Sequence, residues 1–272
     1  MAPARTLPRR GPLPFAGRAW APVTVGLSGA RVWRRPGAYL KVERSGTGGA
    51  IELVGEVERT RWLHEQGLAA AEVLDAGDDG SWTWMITAAL PGRSLAEPWP
   101  AAERREVVRA LAAATAALHA LDTAACPFRR DLSGTVPAAA EAVRRGAVDL
   151  DDLDEDHRGR AAADLLADLM RGLPSSSSEK QDLVVCHGDL CAPNVLVDPD
   201  SMVVTGLVDL GRLGGADRHQ DLALAVRSLA GSVNPQYGDE DVAQFLEAYA
   251  AATGVRADPA RLEWFRLLDE FF

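Results

Sequence analysis

The chain has few cysteines, and this scarcity excludes a fold that disulfide bonds hold together. Its 272 residues include 3 cysteines, Cys126, Cys186 and Cys191. Disulfide scaffolds are short and rich in cysteine, whereas an odd and sparse set of thiols cannot staple a chain of this length. The composition therefore predicts a reducing compartment.

Long apolar segments are also missing. The longest apolar stretch, residues 110–121, is mostly alanine and is interrupted by Thr115 and His119. It is too short and too weakly apolar to cross a bilayer, which takes about 20 apolar residues. The first arginines are followed by Gly-Pro-Leu-Pro at residues 11–14, and not by the apolar block of a signal peptide. We therefore expect a cytoplasmic protein that does not enter a membrane.

The chain has fewer positively charged than negatively charged residues. Lysine and arginine total 29 against 39 aspartates and glutamates, which gives a net charge of -10. An acidic chain disfavours nucleic acid and anionic membranes as its main partners and favours a cationic one. The same acidity also serves solubility alone, so both interpretations stay open. Hydrophobic residues at 47% and charged residues at 25% are typical of a globular protein.

The residues that are present divide the chain into three segments. Residues 1–14 are rich in proline and arginine without periodicity, which predicts a flexible arm. Residues 15–90 carry short runs of Val, Leu, Trp and Tyr between glycines and prolines, the pattern of a small antiparallel sheet. One helix is predicted within them, over residues 52–66, and Gly67 ends it.

The third segment, residues 91–272, is mainly helical. Apolar residues at helical spacing predict helices over residues 101–121, 138–145 and 161–171, and again from Gln220 to the end. Short strands are predicted at residues 183–186, 195–197 and 203–210. A serine run at residues 175–178 predicts a surface loop.

Three side chains with oxygen atoms follow two of these strands. Asp189 and Asn194 share one loop, HGDLCAPN at residues 187–194, and Asp209 lies near the end of a later strand. Mg²⁺ prefers hard oxygen ligands, and Asn194 and Asp209 supply a neutral and a charged one. Asp189 would remain outside the metal shell, where it can orient a substrate hydroxyl and accept its proton. The pattern therefore predicts phosphoryl transfer.

These motifs resemble the catalytic loop and metal-binding strand of the protein-kinase-like fold. The similarity extends through GLVDLGRLG at residues 206–214 and DLAL at residues 221–224, and it is greatest for the aminoglycoside phosphotransferases, a family of antibiotic-resistance enzymes. The resemblance implies an α+β, two-lobed protein-kinase-like fold. A small antiparallel-sheet N-lobe with one helix would span residues 15–90, and a larger, mainly helical C-lobe would span residues 91–272.

The resemblance also implies roles for individual residues. Asp189 would be the catalytic base, and Asn194 and Asp209 would hold Mg²⁺. ATP would bind in the N-lobe, where Lys41 contacts its phosphates and pairs with a glutamate on the following helix. That partner is either Glu56, which fits the family pattern best, or Glu52 one turn earlier. Further nucleotide contacts are expected at Ser28, Thr87 and Ala89. The first of these lies in a hairpin that an ordinary turn explains equally well, and the last two would use main-chain atoms.

The acceptor that the resemblance implies is an aminoglycoside, a polycation that needs carboxylates around its cleft. Two acidic segments qualify, residues 149–156 and the chain end, and a solvated acidic loop is the alternative for the first. Arg212 is expected to steady charge beside Asp209 and Asp189, with a structural salt bridge as its alternative. The predicted substrate contacts are Asp154, Glu155, Arg212, Asp269, Glu270 and Phe272.

Two local motifs have simpler explanations beside the functional ones. Cys186, His187 and Cys191 lack the spacing of a zinc site, so packing thiols are favoured and His187 is expected to brace its loop. Asp221 resembles a buried carboxylate of the family that accepts backbone amides of the catalytic loop. An ordinary aspartate at a helix start is the alternative.

The predicted reaction is transfer of the γ-phosphoryl group of ATP to an aminoglycoside hydroxyl, which would confer resistance. Residues 126–128, 86–88 and 206–210 resemble the streptomycin 3″-kinases, and on these we favour the 3″-hydroxyl of streptomycin. Residues 268–272 and 148–153 resemble the kanamycin and neomycin 3′-kinases instead. A kinase of a small metabolite ranks next, and a non-catalytic pseudokinase that binds nucleotide ranks last because every expected catalytic position is filled. No sequence pattern predicts an oligomeric state.

Overall fold

The computed structural model of the protein describes residues 20–23, 31–173, 182–230 and 234–272. The predicted arm, the Ser28 hairpin and the serine run lie outside the described residues. Within them, a sheet with one helix comes first and six further helices follow, so the predicted α+β class is confirmed. Every helix in these ranges is too short or too polar to cross a membrane. The division of the chain at residue 90 stays a prediction.

Five antiparallel strands form the first sheet. They are β1 (Ala21–Pro22), β2 (Arg31–Arg35), β3 (Ala38–Arg44), β4 (Val73–Asp78) and β5 (Trp82–Ala88), arranged in the order β1-β2-β3-β5-β4. Side chains alternate between the two faces of a strand. Trp82 and Ile86 of β5 therefore join one apolar cluster, whereas Met85 packs on the opposite face against helix α1 (Gly48–Glu65).

Helix α1 begins four residues earlier than predicted. Thr47 explains the difference, because its Oγ1 accepts a hydrogen bond from the Ala50 N–H at 3.2 Å and so caps the helix before two glycines. The register between β3 and β5 then determines the direction of the Lys41 side chain. Lys41 of β3 lies directly opposite Met85 of β5, and cross-strand partners share a face, so Lys41 extends toward α1.

Six helices build the rest of the described chain. They are α2 (Ala101–His119), α3 (Leu132–Arg145), α4 (Ala162–Arg171), α5 (His219–Ala230), α6 (Asp239–Thr253) and α7 (Pro259–Asp269). Helices α2, α5 and α6 share the largest apolar core, in which Leu118, Leu222 and Phe245 are buried. Helices α3, α4 and α7 share a second core around Leu165 and Phe265. These two cores support the strands that carry the predicted site.

Five short strands lie among these helices: β6 (Arg93–Ser94), β7 (Leu183–Cys186), β8 (Val195–Val197), β9 (Val204–Leu207) and β10 (Gly214–Asp217). Strand β7 pairs with β10, and β8 pairs with both β6 and β9. Cys186, the last residue of β7, lies opposite Gly214, the first residue of β10. The loop after β7 and the segment before β10 therefore lie side by side.

Two element boundaries differ from the sequence predictions for clear reasons. Helix α3 begins at Leu132 and not at residue 138, because Asp131 caps it and Pro137, a helix breaker in most interiors, is tolerated in its second turn. Strand β9 ends at Leu207 and not at residue 210, because Asp209 has a left-handed backbone with φ of 60°. Both boundaries depend on backbone conformations that apolar patterning does not reveal.

Candidate active site

The loop after β7 carries two of the predicted residues in direct contact. Asn194 ends a 3₁₀ turn (Ala192–Asn194), and its Nδ2 donates to the main-chain oxygen and to Oδ2 of Asp189, at 3.0 Å each. Because these bonds use the amide nitrogen, Oδ1 of Asn194 is left as an oxygen that can bind a cation. Asn194 is buried, and Asp189 is partly exposed, as a group that meets substrate must be.

A glycine allows this loop to lie against the segment before β10. Gly188 has φ of 85°, and a Cβ atom there would clash with the main-chain oxygen of Arg212. Only glycine combines that backbone conformation with so close an approach. Asp189, the next residue, is thereby held against the segment that contains Asp209 and Arg212.

His187 and Val208 join the two segments by hydrogen bonds. Nε2 of His187 donates to the Val208 carbonyl at 3.1 Å, and its Nδ1 accepts the Asp189 N–H at 3.3 Å. The Val208 N–H donates in turn to the Asn194 carbonyl at 3.0 Å. His187 therefore braces the loop, as the sequence predicts, and Asp209 follows directly after a residue that is bonded to Asn194.

Asp221, on α5, fixes the start of the same loop. Its Oδ2 accepts the His187 N–H at 2.7 Å, and its Oδ1 accepts the Gly188 N–H at 2.8 Å. Burial alone would raise the pKa of Asp221, but the hydrogen bond from His119, the nearby imidazoles and the loop amides hold it below its ordinary value. The side chain is therefore an anion that anchors the loop, and not only a helix-start residue.

Lys41 connects the sheet to this loop region. Its Nζ donates to Glu56 Oε2 at 2.7 Å and to Asp209 Oδ1 at 2.9 Å. Burial disfavours the charged amine, but the two carboxylates outweigh it and raise the pKa of Lys41 above its ordinary value. Glu56 is 5% exposed, whereas Glu52 lies exposed one turn earlier. Oδ2 of Asp209 remains available, so the donor set of Asn194 and Asp209 suits Mg²⁺.

The segment that is predicted to contact adenine uses part of its main chain for hydrogen bonds within the sheet. Thr87 pairs with Tyr39 and Val73, and the Ala89 N–H donates to the Gly37 carbonyl at 3.0 Å. The Ala89 N–H is thus committed to the sheet, and the predicted nucleotide contact of Ala89 would use its carbonyl oxygen. A base at this position would meet other main-chain atoms of residues 87–90.

The chain end and the acidic segment before α4 form one charged cluster. Asp269 accepts from Arg212 Nη1 and lies against Arg227 Nη1, at 2.9 Å each. Burial raises the pKa of Asp269 above its ordinary value, Arg212 and Arg227 oppose that rise, and the charge of Asp189 adds to it. Gly188, the residue before Asp189, packs against the main chain of Arg212, and the Arg212 guanidinium binds Asp269, so the cluster lies near the predicted catalytic residue.

Glu270 and Asp154 connect the cluster to the 3₁₀ turn at Glu155–His157. Glu270 lies 2.5 Å from His157 Nδ1 and accepts the Asp154 N–H at 3.2 Å. Asp154 contacts Arg266 at 3.2 Å. Burial raises the pKa of Glu270, and its bond to His157 opposes that rise. The two acidic segments that the sequence proposes for the acceptor are thus in contact, since Asp154 and Glu270 meet across 116 positions.

Glu155 and Phe272 are the exposed members of the predicted set. Glu155 lies on a 3₁₀ turn (Glu155–His157), and no ion pair of its side chain is formed within the described residues. The Phe272 ring lies 5.6 Å from the guanidinium of Arg130 and 5.9 Å from that of Arg212. The ring therefore lies against cations of the site.

Sequence reasoning does not identify Arg227, Arg266 and His157, which neutralise the carboxylates of the cluster. A signal exists only for Arg227, a lone cation that directly follows the apolar run at residues 222–226. His157 and Arg266 stand among other charged residues, where nothing distinguishes them. The cluster consequently holds alternating charges, and not the bare carboxylates that the sequence predicts.

Comparison with known proteins gives a consistent picture. A model of the phosphotransferase enzyme family matches residues 19–265. An aminoglycoside 3′-phosphotransferase of Streptomyces fradiae is 44% identical over 261 residues, 93% of this chain and 95% of that protein. A streptomycin 3″-kinase of Streptomyces griseus is 40% identical over 257 residues, 93% and 92% of the two chains. The structure of aminoglycoside phosphotransferase APH(3″)-Id from Streptomyces rimosus, with ADP and streptomycin, matches with a TM-score of 0.78 at 32% identity, over 93% and 92% of the chains.

Proposed function

Because the chain belongs to the phosphotransferase enzyme family, we propose that it transfers the γ-phosphoryl group of ATP to a hydroxyl of an aminoglycoside. It is a nucleotide-dependent phosphotransferase with an alcohol acceptor, and it has the two-lobed protein-kinase-like fold of its relatives. The observation that carries the proposal is the position of Asp189. Its carboxylate accepts the Asn194 amide, and Gly188, the residue before it, packs against the main chain of Arg212, whose guanidinium binds Asp269 of the charged cluster. Asp209, in the segment beside Asn194, binds Lys41.

The proposed roles follow from these contacts. Lys41, held by Glu56, would bind phosphate oxygens of the nucleotide, since it is a cation that extends from the central strand of the sheet to Asp209. Asp189, held by the Asn194 amide, would orient the acceptor hydroxyl and take its proton as the new oxygen–phosphorus bond forms. The bond from the γ-phosphorus to the bridging oxygen breaks, and the nucleoside diphosphate leaves.

The metal is part of the proposal. Asn194 Oδ1 and Asp209 Oδ2 would hold Mg²⁺, which neutralises charge on the phosphates when it is bound. The fit rests on the bonds that occupy the other atoms of these two groups, Nδ2 of Asn194 with Asp189 and Oδ1 of Asp209 with Lys41. ATP is the proposed nucleotide, with ADP in a relative's structure as support for the nucleotide class.

The acceptor position has two candidates. Sequence segments favour the 3″-hydroxyl of streptomycin, and a streptomycin 3″-kinase is 40% identical. Two observations favour the 3′-hydroxyl of a kanamycin or neomycin type substrate. A 3′-phosphotransferase is 44% identical, and in the chain end that resembles the 3′-kinases Asp269 binds Arg212 and Glu270 contacts His157. We therefore place the 3′-hydroxyl first.

Initial rates of ADP formation with kanamycin, neomycin and streptomycin would test both the proposed aminoglycoside phosphotransferase activity and the choice of the 3′-hydroxyl. We expect turnover of kanamycin and neomycin, and about a hundred- to ten-thousandfold lower kcat for Asp189→Asn, which has lost a positioned base. Phosphorus NMR of the product identifies the modified hydroxyl. Turnover of streptomycin alone would overturn the 3′ assignment. Turnover of a small metabolite without any aminoglycoside, or equal rates for Asp189→Asn, would overturn the function.

The proposal includes a cellular consequence. A phosphate adds up to about two negative charges to the antibiotic and so weakens its attraction to an anionic RNA target. A bacterium that expresses the active chain should therefore grow at higher kanamycin concentrations than one that expresses Asp189→Asn. We also propose a cytoplasmic location, because Cys126, Cys186 and Cys191 are all free thiols.

A further inference from the structure

A histidine covers the carboxylate of Glu270, one of the groups that are predicted to contact the acceptor. Nδ1 of His157 lies 2.5 Å from Glu270 Oε1, and the Asp154 N–H donates to both Glu270 oxygens, at 3.2 and 3.3 Å. The side chain of Glu270 is 3% exposed and that of His157 is 14% exposed. An ammonium group from solvent therefore cannot reach this carboxylate while the imidazole is in place.

The two partners of Glu270 differ in how firmly the fold holds them. The Asp154 N–H belongs to the main chain directly after Leu153, which is buried in the core that α3, α4 and α7 share. His157 ends the 3₁₀ turn at residues 155–157, in which no residue is buried. Displacement of the imidazole therefore breaks its hydrogen bond to Glu270 and leaves the helical core intact.

Two arginines of the cluster each contact two carboxylates. Arg227 lies 2.9 Å from Asp269 and 3.8 Å from Asp154, and Arg266 contacts Asp154 at 3.2 Å and also Asp156. Within the described residues, the histidine of the turn lies at hydrogen-bond distance from one carboxylate. A guanidinium also keeps its charge at every accessible pH, whereas an imidazole can lose it. The histidine is therefore the partner that an incoming cation displaces most easily.

We propose that His157 occupies, in the free protein, the place on Glu270 that an ammonium group of the acceptor takes when it binds. The acceptor amine would replace the imidazole as the partner of Glu270 Oε1, and its charge-assisted hydrogen bond would offset the bond that is broken. His157 is then a specificity-determining residue, because it sets how much an amine at this position contributes to binding. The inference rests on the proposed function, since it needs an aminoglycoside as acceptor.

His157→Leu and His157→Asn test the proposal as a matched pair. Leucine fills a similar volume without a donor, whereas Nδ2 of asparagine can donate from nearly the position of the imidazole Nδ1. Because Glu270 is free for the amine in His157→Leu, we expect KM for kanamycin to fall about fivefold, the size of one hydrogen bond, with kcat and KM for ATP within about twofold. His157→Asn should keep the wild-type constants. A purely structural role predicts the opposite sign, since a loosened turn would raise KM for kanamycin.

Two further variants separate the contact with Glu270 from a general change of charge. Arg158 is exposed and directly follows His157, so Arg158→Gln makes the segment more negative without freeing Glu270, and we expect less than about a twofold change in KM for kanamycin. On the background of Glu270→Gln, His157→Leu should have no effect on this KM, because the carboxylate that the amine would contact is absent. A fall in Arg158→Gln as large as in His157→Leu, or a fall that persists with Glu270→Gln, would overturn the proposal.

Calorimetric titration with kanamycin in the presence of ADP separates binding from turnover. We expect His157→Leu to bind kanamycin about fivefold more tightly than the wild type. Equal or weaker binding in this variant, while the wild type phosphorylates kanamycin, would overturn the role of His157 alone. If His157→Leu does not fold, His157→Lys decides, since a permanent cation at this position should weaken binding and unchanged binding would overturn the proposal. Tighter binding in His157→Leu without phosphorylation of kanamycin by the wild type would instead contradict the proposed function and leave the role of His157 standing.

Discussion

Two glutamates that lie one turn apart on α1 differ in their exposure to solvent. Glu56 is 5% exposed and contacts Lys41 at 2.7 Å, whereas Glu52 faces solvent. Burial raises the pKa of Glu56, and the charge of Lys41 opposes that rise. A buried carboxylate without its cation would be costly, so the two side chains depend on each other. The position of Lys41, and with it the phosphate site, therefore depends on Glu56.

Glu56→Gln should lower kcat/KM for ATP by about tenfold or more, because a neutral amide replaces a charge-assisted hydrogen bond. Steady-state rates at saturating kanamycin provide the measurement. Glu52→Gln removes the same charge from the exposed face of the same helix, and we expect wild-type rates from it. Equal losses in the two variants would show that the charge of α1, and not the contact with Lys41, determines the effect.

At the residue scale, the sequence reveals groups that lie close together along the chain and hides groups that meet through folding. Asp189 and Asn194 are five positions apart and Asp209 follows the next strands, so their spacing alone predicts a shared site. His157 and Glu270 meet across 113 positions. A histidine in an acidic segment has no local feature that marks such a partner, so its contact cannot be predicted.

At the element scale, amphipathic helices are the easiest features to predict. The sequence predicts helices over residues 101–121 and 161–171, and α2 and α4 occupy nearly the same residues because each buries one apolar face. Strand β10 is not predicted, since its sequence Gly-Gly-Ala-Asp has no β propensity and its pairing with β7 alone holds it. Elements that depend on a distant partner leave little trace in local sequence.

Helix α7 presents its last turn to the acceptor cluster and its other face to solvent. Asp269 lies 2.9 Å from Arg212 and from Arg227, and Glu263, two turns earlier, has a side chain that is 71% exposed. The two arginines would each lose a charged partner if Asp269 became neutral. The uncompensated positive charge would then lie at the proposed binding site of a cationic substrate.

Asp269→Asn should therefore raise KM for kanamycin by about tenfold, the size of one lost charge-assisted interaction, and leave KM for ATP unchanged. Rates across a range of kanamycin concentrations at fixed ATP measure the effect. Glu263→Gln removes one negative charge from the same helix at an exposed position whose contact with Arg266 is 3.7 Å long, so it should raise KM for kanamycin far less. A kanamycin KM that stays constant in Asp269→Asn would remove this turn of α7 from the acceptor site.

At the scale of the whole molecule, the net charge of -10 acts on both substrates with opposite sign. A polycationic aminoglycoside is attracted to the acidic surface, whereas ATP, an anion, is repelled by it and depends on local contacts such as Lys41. The exposed carboxylates serve solubility as well, and the sequence leaves both interpretations open. Salt distinguishes them, since it screens long-range attraction and leaves short, buried contacts almost intact.

Raising ionic strength from about 0.01 M to about 1 M shortens the screening length from roughly 30 Å to roughly 3 Å. We expect KM for kanamycin to rise several-fold over this range, whereas KM for ATP stays constant or falls, because screening also relieves the repulsion of an anion. Initial rates in a potassium salt series measure both constants, and Asp269→Asn at each point separates the local from the distant charges. A kanamycin KM that is independent of salt would mean that the acidity of the chain serves solubility alone, and parallel increases in both constants would mean general inhibition by salt.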